Sequence, residues 1–152
     1  MTACEAPLDH RSPGTGRTVL LSTVSSDAHT WNLLFLQLLL EEAGCTVVNL
    51  GPCVPPEETV ASAERLAPDA IVISTVNGHG HRDGVLLGRR LRANPATVAI
   101  PVVIGGKIGV DGDSSGFADE LLDAGFNAVF TDDTDPAELI ARLGIAELGV
   151  KP

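Results

Sequence analysis

Aromatic residues are nearly absent from this chain: four Phe, one Trp and no Tyr among 152 residues. Its core therefore has to be built from Val, Ile, Leu and Ala, the usual filling of a parallel sheet covered by helices on both faces. Basic residues are scarce as well, ten against twenty acidic ones, for a net charge of −10. Repulsion of that size argues against nucleic acid and anionic membrane as partners. No apolar run is long enough to cross a bilayer; the longest, Leu33 to Leu40, is interrupted by Gln37. Residues 1–16 lack the apolar core of a signal peptide and read as a flexible leader. The cysteines, Cys4, Cys45 and Cys53, are odd in number and form no CxxC pair. That usage fits buried thiols in a reducing, cytoplasmic setting better than disulfides or zinc.

What is present is a regular alternation across residues 17–152, read as one domain. Thr18–Val24, Thr46–Leu50, Ala70–Ser74, Val98–Ile104 and Ala128–Phe130 are short runs rich in β-branched residues, read as strands. Between them lie helical stretches: Thr30–Ala43, a segment opened by Pro55-Pro56 and stopped before Pro68, Gly84–Ala93, and Gly116–Ala124. A last helix is expected over Pro136–Leu143. Units of about 25–30 residues imply right-handed βαβ crossovers. The expected fold is a flavodoxin-like (Rossmann-like), doubly wound α/β domain with a five-stranded parallel sheet in the order 2-1-3-4-5.

In such a sheet ligands lie beyond the carboxyl ends of the strands. The segments there are Ser25–Thr30, Ser74–His81, Gly105–Gly109 and Thr131–Thr134. Several chemistries fail on detail. No GxxxxGK[ST] or GxGxxG occurs at these ends. A phospho-receiver would need an acidic pair after strand one, an Asp after strand three and a Lys after strand five; these places hold Asp27 alone, Ser74 and Thr131.

The most informative stretch is Ser26-Asp27-Ala28-His29. A carboxylate two residues before an imidazole can accept the N–H of one ring nitrogen and leave the other free as a metal ligand. The competing reading is a polar loop that caps the following helix. His79 and His81 could chelate a metal if they shared a strand face, but fit a polar rim better. Arg82, Arg89, Arg90 and Arg92 form a basic cluster, read as a solvated helix face or a docking surface.

Taken together, Asp27-x-His29, Ser74-x-Val76 and Gly105-Gly106 resemble the DxHxxG…SxL…GG signature of cobalamin-binding domains, over nearly the whole span from Thr18 to Leu143. Val47–Gly51, Gly78-His79-Gly80 and Gly105–Ile108 are similar to the matching loops of the small subunits of glutamate (methylaspartate) mutases. The resemblance implies a cobalamin whose dimethylbenzimidazole tail leaves the cobalt and enters a slot between sheet and helix. His29 would take the vacated lower axial position, as the metal ligand, with Asp27 on its other nitrogen. Ser74 would bond the tail base, Gly105 and Gly106 would leave room for the nucleotide, and Thr131 and Asp133 would lie near the tail. Ser26, Thr30, Asn32, Val76, Asn77 and Gly78 complete the implied cofactor loops. Two positions depart from the signature: Asn32 stands for its Gly and Val76 for its Leu.

The resemblance further implies an adenosylcobalamin-dependent isomerase, a radical carbon-skeleton mutase interconverting L-glutamate and threo-3-methylaspartate. A larger TIM-barrel subunit would hold the small amino-acid substrate, and this chain alone would be inactive. The alternatives are a corrinoid carrier for methyl transfer and a non-catalytic cobalamin-binding or sensor module.

Overall fold

The computed structural model describes residues 17–24, 30–75, 80–106 and 115–131. Five parallel strands, β1 (Thr18–Thr23), β2 (Thr46–Asn49), β3 (Ala70–Thr75), β4 (Val102–Gly106) and β5 (Ala128–Thr131), form one sheet in the order β2-β1-β3-β4-β5. Four helices alternate with them: α1 (Trp31–Glu42), α2 (Pro56–Leu66), α3 (Gly80–Ala93) and α4 (Ser115–Ala124). The expected sheet order is the observed one. The leader over residues 1–16 and the helix expected over Pro136–Leu143 lie outside the described residues.

Strand alternation divides the core in two. Val19, Leu21, Ala70, Val72, Val103, Ala128 and Phe130 lie on the α1 side of the sheet and form one core cluster with Leu33 and Leu40. Leu20, Ile71, Ile73, Val102 and Ile104 face the other way, against Ala63 of α2, Leu87 and Leu91 of α3 and Leu121 of α4. Burial on both faces is what the aliphatic composition demands.

Local chemistry sets the helix ends. Pro56 opens α2 with Glu57 and Glu58 in the first turn, favourable at the positive end of the helix dipole. α1 stops where Gly44 takes a φ of +98°, its N–H donating to the Glu41 carbonyl at 3.0 Å. α3 lies tight against its neighbours because Gly84 and Gly88 have no side chains. A Cβ on Gly84 would stand 2.8 Å from Leu121 Cδ2, and one on Gly88 2.8 Å from Phe126 Cε2.

Two boundaries differ from the sequence reading. The fourth strand begins at Val102, not Val98, and Gly105-Gly106 continue it rather than break it. Residues 95–99 form turns, with the Thr97 N–H donating to the Asn94 carbonyl and the Ile100 N–H to that of Thr97. The Arg92 guanidinium then takes the Val98 and Ile100 carbonyls at 2.6 and 2.9 Å, so they make no ladder. α3 starts at Gly80, one turn before the expected Gly84, which places His81 on a helix rather than in a loop.

Candidate functional site

The site is built on one row of the sheet. Register pairs Thr23 of β1 with Ser74 of β3, Ser74 with Gly105 of β4, and Gly105 with Phe130 of β5. Phe130 belongs to the α1-side core, so this row, at the carboxyl end of the sheet, faces α1. Ser74 is buried there beside Gly105. A Cβ on Gly105 would come within 3.3 Å of Phe130 Cβ, so a larger residue would press on β5 at Phe130. Gly106 lies one position further along, paired with Thr75 and Thr131. Of the two signature glycines, only Gly105 shares a face with Ser74.

The row is braced from β2. Thr23 Oγ1 donates to the Gly51 carbonyl at 3.0 Å and accepts the Val54 N–H at 3.4 Å, tying the segment after β2 to the end of β1. Asn49 Oδ1 accepts the Gly51 N–H at 2.8 Å while Asn49 Nδ2 donates to Gln37 on α1 at 3.0 Å. These polar anchors inside apolar runs went unremarked in the sequence. Their signal was the Thr and Asn at the last positions of strands, where side chains reach loop backbone instead of core.

Thr75 adds a second polar group of this end. It is buried, points away from the Ser74 face, and its Oγ1 has no hydrogen-bond partner. An unsatisfied buried hydroxyl costs about 1–3 kcal/mol. A row with Ser74 and a side-chain-free position side by side suits a planar base with a hydrogen-bonding edge; Thr75, on the opposite face, is no part of that row. The described residues thus fit a large polar cofactor.

At the head of α1, Thr30 is exposed and makes no side-chain cap bond, although its carbonyl accepts the Leu34 N–H at 3.0 Å. Asn32 lies in the first turn of that helix. Ser26, Asp27, His29, Val76, Asn77, Gly78, His79 and Asp133 lie outside the described residues. Among the described residues no cluster of His, Cys, Asp and Glu could hold a metal ion. A groove of about 780 Å³ runs between α2 and α3, bordered by Glu57, Val60, Arg89 and Arg90. It belongs to the opposite face of the sheet from Ser74 and Gly105, and no assigned site residue lines it.

The thiols divide. Cys45 is buried, as expected, and burial pushes its pKa up to about 11, with Asp69 adding to the rise and Arg17 opposing it. Cys53 is exposed, contrary to the expectation of buried thiols. It follows Gly51-Pro52 with a φ of +54°, a turn that lifts it clear of the core.

Residues 17–141 match the family model described as the B12 binding domain. The chain belongs to that family. Its cofactor is therefore cobalamin, and the B12-binding match spans all five strands and the residue row just described. The chain is 37% identical over 134 residues to the glutamate mutase sigma subunit 2 of Haloarcula marismortui, covering 88% of each chain. It superposes on a cobalamin-binding protein from Desulfitobacterium hafniense with a TM-score of 0.67 at 21% identity, over 84% of this chain and 59% of that one. The chemotaxis response regulator CheY4 of Vibrio cholerae superposes with a TM-score of 0.64 at 18% identity, covering 86% and 98%. That likeness is one of fold alone, since the acidic pair and the Lys of a receiver are missing from this B12-binding domain. No helix among the described residues is long and apolar enough to cross a membrane.

Proposed function

We propose that this B12-binding domain is the small, cofactor-carrying subunit of a glutamate mutase, acting with a larger catalytic subunit. The observation that carries the reading is the pairing of Ser74 with Gly105 at the ends of β3 and β4 in a B12-binding domain that is similar to glutamate mutase sigma subunits.

In this reading each residue has a task that its chemistry suits. His29 would hold the cobalt through one imidazole nitrogen, and Asp27 would accept the N–H of the other, fixing tautomer and ring orientation. Ser74, at the end of β3, offers its hydroxyl to the tail base. Gly105, next to it on the same face, lets the tail approach the sheet. Ser26, Thr30, Asn32, Val76, Asn77, Gly78, Gly106, Thr131 and Asp133 would complete the cofactor loops. Bound adenosylcobalamin would supply the radical chemistry. This chain binds and orients the cofactor. The larger subunit, a TIM barrel in this proposal, holds the amino-acid substrate, glutamate or 3-methylaspartate, over the upper face.

The test is electron paramagnetic resonance of cob(II)alamin with the chain labelled with ¹⁵N-histidine. Superhyperfine splitting that changes with the label places a protein imidazole on the cobalt. His29→Ala should abolish that signal while circular dichroism keeps the fold. Imidazole splitting that persists in His29→Ala sinks the axial assignment. Asp27→Asn should weaken cofactor binding by roughly 10–100-fold.

A further inference from the structure

α1 carries more apolar surface than its own fold uses. No charged residue occurs from Trp31 to Leu40, and a helix that is apolar all round is ordinarily buried all round. Here it is not. Leu33 and Leu40 enter the core and Leu36 and Leu39 pack at its margin, but Leu34, Phe35 and Leu38 are 46%, 50% and 52% exposed. Leu38 is four residues from Leu34 and three from Phe35, so it borders both on the helix surface. Contiguous exposed apolar side chains of this size mark an interaction surface.

Its place on the molecule says what covers it. α1 starts at the carboxyl end of the sheet, and Leu38 lies about 10 Å along the axis from the helix start. The patch therefore adjoins the cofactor end. Self-pairing is opposed by the charge of −10 on each copy. At the far end of the patch Glu41 and Glu42 are exposed, so the complementary surface is apolar with basic residues along its distal edge.

We infer that the outer face of α1, through Leu34, Phe35 and Leu38, docks the larger mutase subunit; this rests on the mutase-subunit reading above. The contact then extends from the cofactor down the first two turns of the helix, and Glu41 and Glu42 meet cationic side chains of the partner.

The test compares three full-length chains titrated with the purified large subunit in the presence of adenosylcobalamin: wild type, Leu34→Gln/Phe35→Gln/Leu38→Gln, and Glu41→Lys/Glu42→Lys. Association is read by sedimentation velocity, and cobalamin binding to the isolated chain by its absorption spectrum. The triple variant should lose at least 30-fold in association, keep cobalamin affinity within about 2-fold, and keep its circular dichroism. The double Lys variant should lose several-fold at low salt and little at high salt. If the triple variant unfolds, Leu38→Gln alone, at the most exposed position, should still weaken association. Wild-type association in the triple variant overturns the docking face and leaves the mutase reading standing. A wild-type chain that self-associates through these residues, with large-subunit affinity unaffected by the triple change, overturns it as well. A wild-type chain that does not associate with the large subunit overturns both.

Discussion

At the scale of single residues, the two described cysteines separate burial from chemistry. Cys45 lies in the α1-side core and its thiol is held protonated up to about pH 11, whereas Cys53 is exposed on a turn. Ellman's reagent at pH 8 should therefore modify Cys53 rapidly in the folded chain and leave Cys45 untouched until the protein unfolds. The sign of the pH effect follows from the same shift. The folded-state pKa lies above the ordinary value of 9.0, so the folded chain holds the thiol proton more tightly than the unfolded one. That contribution to stability is complete below pH 9 and is lost as pH rises through about 11. Urea titrations at pH 8 and 10.5 should show the loss in wild type and a smaller one in Cys45→Ala. Thr75, by contrast, keeps a buried hydroxyl that nothing satisfies, next to the residue assigned to the cofactor tail.

At the scale of elements, Arg92 joins the ends of three of them. From the last turn of α3 it donates to the carbonyls of Thr97, Val98 and Ile100, to that of Gly125 after α4, and to Asn127 Oδ1 ahead of β5. Asn127 in turn accepts the Val102 N–H at the start of β4, at 2.8 Å. A planar fork with five donors can serve such a divergent set of acceptors; an ammonium cannot. Arg92→Ala should destabilise the chain by about 2–4 kcal/mol in urea denaturation, and Arg92→Lys should recover only a minor part. Gly125, with a φ of +124°, leaves the space that the Arg92 side chain crosses. Of the four arginines that read as one basic cluster, Arg82, Arg89 and Arg90 are exposed and only Arg92 is structural. The same arginine explains the misplaced start of β4, because carbonyls drawn to a guanidinium are unavailable to a neighbouring strand. A contact between residues so placed has no local signature in Val98-Ala99-Ile100, which reads as strand on composition.

At the scale of the molecule, the proposed function shares the chemistry between two chains. One end of the sheet carries the residues assigned to the cofactor, and among the described residues no set of arginines converges there to clamp a dicarboxylate. With adenosylcobalamin and L-glutamate, the chain alone should give no product. Adding a glutamate mutase large subunit should give turnover that saturates with the concentration of this chain. The assay is the appearance of 3-methylaspartate; turnover by the chain alone would contradict the division of labour proposed here.

Much of this was legible from one dimension. β-branched runs punctuated by Gly and Pro are sufficient to set five strands, their alternation with helices and hence the parallel sheet, because crossover handedness and burial on both faces leave few other arrangements. The strand-end motifs pointed to cobalamin for a similar reason: in this topology the carboxyl ends of strands are brought together whatever lies between them. What only the tertiary structure decided depends on neighbours distant in sequence. Gly105 and Gly106 read as a strand breaker, yet pairing with Ser74 and Thr75 keeps them in β4, and the alternation of the pleat then gives only Gly105 to the Ser74 face. α1 reads as buried by its uniform apolarity, yet a single sheet can cover only one side of a helix. Leu34, Phe35 and Leu38 are left on the outside because packing is geometric, while hydrophobicity in a sequence has no direction.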